Sequence, residues 1–475
     1  MTELWWSLLG LAFLVTPFMV AALGGVALPA GAVVLARGSR LWSDETKLAV
    51  LLGVVVLTTA FSVALSGRVL YTPQEYQANP ILVYAQSQGD SSGPWVNRIG
   101  TLLLALIALP ELLRWTLGER RMAPAARRLC LSAWFYLLGI VVMAGIAGET
   151  RGWRLNHLYM PLLFTTLAVL SHVNPMPALR AVRWCLWLVM LGSLVAAVVA
   201  PKLALDRDYN SLIPGLSWRL VGLTDHANSL GVMAVIALML ELTPAVQPRP
   251  RWLLLLPALA VLVLSQSKTA WVEIVLALSL MRSDDLRARL FGRDRARSMV
   301  GMLALLVIAV ALMLCLLGAL VSSDRVLAWI DEVGITTFTG RTQIWSITWA
   351  EFERSPWLGY GPALWDAQYR YEQGLIAVGQ GHNQYIHTLG QAGLIGALGL
   401  LVYLFNMLRN SIAAWRGGFA MPMVLLLILL VRGITETPLN MDSVVGTDAM
   451  LHVLAFALAI CGARRGSDAI IGPRS

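Results

Sequence analysis

Charge is what this sequence has least of. Only 13% of its 475 residues are Asp, Glu, Lys or Arg, while 57% are hydrophobic and the mean hydropathy is +0.69. A soluble globular chain carries about a quarter charged residues, so a water-soluble fold is excluded and an integral membrane protein is expected. Cysteine is equally sparse: Cys130, Cys185, Cys315 and Cys461 sit in or beside apolar runs with no paired spacing. That excludes a disulfide framework and a cysteine-ligated zinc site and leaves small buried hydrophobes. No GxSxG, HExxH, P-loop or dinucleotide fingerprint stands in a supporting context. A clear internal repeat is also missing, so the sequence does not support an inverted-repeat transporter.

What is present is a succession of apolar runs of roughly 17 to 23 residues, the length an α-helix needs to cross the hydrocarbon core. A transmembrane barrel would show short alternating strands instead. Spans are expected near 48–66, 98–117, 129–148, 154–173, 183–200, 228–244, 252–264, 270–281, 299–321, 391–408, 419–435 and 444–461. Before them, Trp5–Ala36 is broken by Gly24-Gly25 and Pro29 and reads as a pair of short spans. It is too long for a signal peptide and has no basic leader. The expected fold class is all-α: one polytopic membrane domain over 1–475 with about 12 to 14 transmembrane helices. The tail Ile471–Ser475 carries no readable signal.

The net charge of +9 is unevenly placed. Most Lys and Arg residues fall in the loops around 37–47, 114–128, 180–183, 249–251, 282–297, 409–416 and 464–474. Arg282, Arg287, Arg289, Arg293, Arg295 and Arg297 form the densest cluster. The positive-inside rule makes these loops cytoplasmic. Residues 67–97, 201–227 and 436–443 then face outward, with the longest polar interruption, Ser322–His387. A basic stripe of this kind orients a membrane protein and calls for no nucleic acid.

That interruption holds acids, aromatics, glycines and two histidines, where most other breaks are short and basic. Long segments with a composition of their own are usually functional, so 322–390 is expected to be an inserted external subdomain carrying the chemistry. From Gly340 to Phe352, Ile344, Ile347, Thr348 and Glu351 recur at helical spacing, with Trp345 and Trp349 on an adjoining stripe. Arg354-Ser355-Pro356 stops that helix, Gly359-Tyr360-Gly361-Pro362 reverses the chain, and Leu364–Tyr371 reads as a second short helix. Two amphipathic helices on the outer membrane surface fit this pattern.

His382 lies just before a span, preceded by Gly379-Gln380-Gly381 and followed by Asn383 and Gln384. A histidine there can accept a proton from a hydroxyl near neutral pH. It can equally be a polar residue at a helix N-terminus, with Asn383 or His382 as the cap. His387 reads as a packing or hydrogen-bonding residue. Arg219, in Arg219-Leu-Val-Gly222-Leu-Thr-Asp225-His226-Ala-Asn228, and Arg341 can each grip a lipid phosphate through the guanidinium fork or snorkel to the interface. Lys268 interrupts an apolar run, where an ionisable group needs a polar cavity or a partner. Arg432 and Glu436, four apart, are expected to pair along one helix. Asp206-Arg207-Asp208 has a spacing able to hold a divalent metal, but chance suffices in a charged loop and no metal site is assigned.

Together these pieces resemble the O-antigen ligase and polymerase superfamily of bacterial membrane glycosyltransferases. The resemblance rests on Arg219-x-x-Gly222…His226-x-Asn228, on Ser265-x-Ser267-Lys268, on Gly340-Arg341…Trp345 followed by Gly359-Tyr360-Gly361, and on Gly381-His382-Asn383…Gly393-Leu-Ile-Gly396. It covers roughly 210–410; the first 200 residues match only in being membrane spans. Lys268 stands where arginine is expected, which keeps the charge and loses the bidentate fork.

The resemblance implies a metal-independent inverting transfer on the periplasmic face of the bacterial inner membrane. A glycan on undecaprenyl diphosphate moves to an acceptor hydroxyl, with no cofactor. Catalytic roles then fall to His382 as base and to Arg219 and Arg341 at the leaving diphosphate. Lys268, Asp225, His226, Asn228, Asn383, Gln384, Trp345 and Tyr360 become substrate-binding candidates. A lipid A core acceptor makes an O-antigen ligase, another lipid-linked glycan a polymerase, a protein side chain an O-oligosaccharyltransferase. The first two are favoured because no further domain follows the last span. A lipid-linked glycan transporter is the alternative of another class, and would spread its polar groups through the spans.

Overall fold

The computed structural model describes residues 42–70, 93–150, 155–209, 211, 213, 215–246, 252–281, 338–375, 378 and 380–471. The expected spans at Trp5–Ala36 and 299–321, the Arg282–Arg297 cluster, Cys315, Gly379 and the start of the 322–390 segment lie outside these residues. Within them the chain is helical: α1 (Asp44–Ala64), α2 (Gly93–Thr116), α3 (Pro124–Leu137, continued through a π-turn to Ala147), α4 (Tyr159–Val169) and α5 (Met176–Val199). A two-stranded hairpin follows, β1 (Leu205–Arg207) and β2 (Trp218–Leu220), then α6 (Ala227–Leu242), α7 (Trp252–Leu264) and α8 (Lys268–Met281). The last group is α9 (Phe338–Arg354), α10 (Ala367–Glu372), α11 (Gln384–Arg416), α12 (Met421–Thr435) and α13 (Thr447–Ile471). Helices α1, α2, α3, α5 and α11 are long and apolar enough to cross a membrane, and α6, α7, α12 and the Thr447–Gly462 part of α13 are shorter apolar helices. The protein is an all-α, multi-pass membrane protein.

Helix α11 is the axis, packed against α3, α9, α12 and α13. Small residues allow the close approach: a Cβ on Gly139 of the π-turn would lie 3.2 Å from the Gly396 Cα, and one on Gly399 would lie 2.9 Å from the Tyr136 Cα. Aromatics cluster within the largely aliphatic core, with Phe164 and Phe456 stacked at 4.1 Å and the Tyr403 hydroxyl 2.8 Å from His452 Nε2.

Helix α11 is broken at Gly393, whose φ of 58° leaves the helical region. The turn around Gly359 crosses it there and takes over the interrupted hydrogen bonds. Tyr360 and Gly361 donate their N–H groups to the Gly390 and Gln391 carbonyls at 2.8 and 2.9 Å, while Leu394 donates to Pro356 O at 2.8 Å. Backbone meets backbone so closely that a Cβ on Gly359 or on Gly393 would sit 2.4 Å from main-chain atoms. The two glycine motifs of the sequence are thus one interlocked joint, and it detaches the half-helix Gln384–Ala392 from the rest of α11. Helix α9 behaves as its spacing says, with Ile344, Thr348 and Glu351 buried. That face turns onto α11 and a small core of Ile344, Leu364, Trp365 and Tyr369, not onto a lipid surface.

Polar residues collect at the two ends of the bundle. At one end Glu111, wholly buried, takes ion pairs from Lys47 at 2.7 Å and Arg114 at 3.2 Å, and Asp44 takes one from Arg120 at 2.8 Å. Buried charge is tolerable there because each group is paired. The other end gathers Arg68, the β1–β2 hairpin, the 380–383 segment and the loop after α12.

Candidate active site

A cleft of about 430 Å³ opens at that second end, lined by residues including Asp225, His226, Arg341, Gln380, His382, Arg432, Glu436, Asp442 and Asp448. Its centre is Glu436. Helix α12 stops at Thr435 and Glu436 turns to an extended conformation, with φ −145° and ψ −176°. Its buried carboxylate then collects donors from four directions. Oε2 accepts from Gln380 Nε2 at 2.6 Å and His382 Nδ1 at 3.0 Å; Oε1 accepts from Asn228 Nδ2 at 3.2 Å and Arg341 at 3.5 Å. Burial opposes the charged form, yet the His382 hydrogen bond and the Arg432, His382 and Arg341 charges outweigh it and lower its pKa to about 2.

An ionised carboxylate can only accept, so His382 Nδ1 carries a proton and, in the neutral imidazole, Nε2 has the lone pair. Among the described residues Nε2 has no hydrogen-bond partner. His382 takes a left-handed backbone, φ 48°, and Asn383 follows as the cap of α11, its Oδ1 accepting from Tyr385 N and Ile386 N at 3.0 Å each. The geometry is a histidine held by a carboxylate on one nitrogen and facing a polar cleft, the arrangement of an oriented general base.

The other expected site residues divide. Arg341, in the first turn of α9, lines the cleft, as do Asp225 and His226. Arg219 stands behind His226, 3.5 Å from its Nε2. The hairpin register sets Arg219 directly across from Asp206, with which it forms a 2.8 Å ion pair, and its guanidinium lies 4.2 Å over the Tyr209 ring. Asp206 is therefore committed to Arg219, which leaves the Asp206–Asp208 spacing without a free pair of carboxylates.

Arg219, Asn228 and Asn383 stand just behind the cleft lining, and four further candidates touch neither it nor Glu436. Gln384 is buried and ties Tyr136, Thr388 and the Leu439 amide together. Trp345 packs on the small Ile344–Tyr369 core, and Tyr360 belongs to the glycine turn, its ring 4.7 Å from Tyr369. Lys268 is exposed at the start of α8, because Ser265–Ser267 make a turn in place of continuous helix. Gln266 in that turn adopts φ 50° and donates to Trp218 O, so the segment braces the hairpin carrying Arg219.

One expectation is corrected. Arg432 does not pair along its helix with Glu436, since the helix ends between them. Its hydrogen-bonded acid is Asp448 at 2.6 Å, and its other donors reach Asn228 O and Ser229 Oγ at 3.2 and 3.4 Å. Sequence reasoning also passed over Arg68. It donates to the carbonyls of Thr224, Leu203 and Gly222 at 2.5, 2.6 and 3.0 Å, and so holds the loop that presents Asp225 and His226. Burial lowers its pKa to about 10, which leaves it charged. Polar residues in a loop facing a membrane give no sign of which carbonyls they will reach. Glu436 could have been found by noting that an acid just beyond an apolar helix needs a partner in the same compartment.

A search among curated proteins finds no match. Residues 253–401 do match a family model described as O-antigen ligase. That stretch contains Lys268, Arg341, the Gly359 turn, His382 and the Gly393 kink, while Arg219, Arg432 and Glu436 lie outside it. Over residues 253–401 the chain, a multi-pass membrane protein, is thus similar to O-antigen ligases.

Proposed function

We propose that the protein is an O-antigen ligase that moves a glycan from undecaprenyl diphosphate to a hydroxyl of the lipid A core on the periplasmic face of the inner membrane. The observation that carries this is the His382–Glu436 pair, set in a cleft shared with the Arg341 and Arg432 guanidiniums. The acceptor hydroxyl loses its proton to His382 Nε2 as its oxygen attacks the anomeric carbon. The bond from that carbon to the diphosphate oxygen breaks, with inversion, and undecaprenyl diphosphate leaves. Charge growing on the diphosphate is met by Arg341, with His226 on the same cleft lining and Arg219 behind it, so fixed guanidiniums do what a metal does in many glycosyltransferases. Glu436 stays ionised and stabilises the imidazolium until solvent removes the proton. Asp225, Asp442 and Asp448 on the cleft lining suit hydroxyl groups of a sugar, which donate to carboxylates. In this reading 322–390 is the inserted subdomain that brings Arg341 and His382 together.

The histidines and arginines of the cleft gather at one end of the bundle, which favours transfer chemistry over a transporter. Reconstitution with a defined undecaprenyl-diphosphate glycan and three acceptors, lipid A core, a second lipid-linked glycan and an acceptor protein, tests the proposal. Glycosylation of the lipid A core is expected; growth of the lipid-linked glycan would make the protein a polymerase, and no transfer to any acceptor would refute the enzyme.

A further inference from the structure

A second cavity of about 470 Å³ lies between α2 and α4, lined by Thr101, Leu102, Ala105, Leu109 and Leu162 and almost wholly apolar. It runs from Asn97 and Arg98 near the start of α2 to Leu112 near its end. Fifteen residues of helix give it a length of roughly 22 Å. Leu102 and Leu109 at its edge are exposed, so it is open along the side of the bundle that faces lipid.

Three observations set it apart from an ordinary lipid-facing furrow. First, it shares a wall with the cleft: Val444 lines the groove, while its neighbours Ser443, Val445 and Gly446 line the cleft. Second, its cleft-side end is polar. The exposed Arg98 guanidinium lies 5.0 Å over the Trp95 ring, and Asn97 Oδ1 is buried without a hydrogen-bond partner among the described residues. Third, the groove outreaches one leaflet, whose hydrocarbon is about 15 Å deep. Its far end is therefore reached by a single chain that runs past the bilayer midplane.

We propose that this groove binds the polyisoprenyl tail of the donor, with Arg98 at the diphosphate end and the Val444 segment passing the head of the lipid into the cleft. The proposal rests on the transfer reading above and adds where its donor is held. Apolar contact along the groove supplies affinity, and the cation at the end supplies direction, since an uncharged head has no partner there.

Full-length protein in nanodiscs, given glycan donors with an undecaprenyl-length or a farnesyl-length tail, tests it. Ala105→Trp fills the groove from within; Leu109→Trp, at an exposed position, serves should the first variant not fold. Either is expected to raise KM for the long-tailed donor about tenfold, the loss of about two buried methylenes. The farnesyl donor should be affected less, and kcat and the acceptor KM should be unchanged. A rise in acceptor KM instead would assign the groove to the acceptor, and no change in any KM would leave it bare lipid surface; both overturn the proposal. A photoreactive undecaprenyl diphosphate, cross-linked to wild type and mapped, separates this from the transfer reading. Cross-links on α2 and α4 without any transfer would sink the enzyme and keep the groove; transfer without such cross-links would do the reverse.

Discussion

At the scale of single residues the site turns on a carboxylate with too many donors to be idle. Glu436 accepts from Gln380, His382, Asn228 and Arg341. Glu436→Gln preserves shape and removes the charge that fixes the His382 tautomer. Transfer is expected to fall by on the order of 10²–10⁴ in kcat with donor binding retained, measured as initial rate beside equilibrium donor binding. The same group makes a prediction about acid. Its folded pKa of about 2 lies below the ordinary 4.5, so its stabilising contribution is complete above pH 4.5 and lost as pH falls toward 2. The amount is on the order of 3 kcal/mol. Wild-type melting temperature should drop across that window, and the Glu436→Gln protein should show a flatter profile there. The sequence singled out His382 by its place beside glycines at a membrane boundary, although a polar residue at a helix N-terminus explained that place equally well. Its partner was not, because a spacing of four residues suggests a helical pair and only the end of α12 turns Glu436 away. Asn383 went to the bland reading: it is the helix cap.

At the scale of elements, the order of spans and the stop at Arg354-Ser355-Pro356 were readable from hydropathy and breakers. The kink was not. From the sequence, the last part of the interruption runs into a span near Gln391, whereas the helix begins at Gln384 and breaks at Gly393, because the Gly359 turn supplies the hydrogen bonds that a continuous helix would make internally. That is tertiary information. Gly393→Ala meets both a φ of 58° and backbone at 2.4 Å, whereas Gly418→Ala meets a φ of 84° and open space. The second change should cost about 1 kcal/mol from backbone strain alone and the first clearly more. Melting temperatures of the two variants compare them directly, and equal losses would mean the joint does not hold the half-helix.

At the scale of the molecule, sparse charge announced a membrane protein and the basic loops announced two unlike ends. The structure agrees in bringing segments 68–70, 203–209, 215–226, 380–383 and 436–449 to one end. What the composition could not show is that acids and cations mix in the cleft; in the proposed reading the guanidiniums meet an anionic donor and the carboxylates take sugar hydroxyls. Transfer should therefore persist in excess chelator. Loss of rate in chelator, restored by magnesium or manganese, would contradict this.

The central claim is that His382 takes the acceptor proton. Its test is a single-turnover measurement of glycan transfer from a defined undecaprenyl-diphosphate donor, run beside equilibrium donor binding, for wild type, His382→Ala and His387→Ala. The account predicts that His382→Ala binds donor normally and transfers slower by about 10²–10⁴, and that His387→Ala loses far less. Normal turnover in His382→Ala, or loss of donor binding together with the fold, would contradict it.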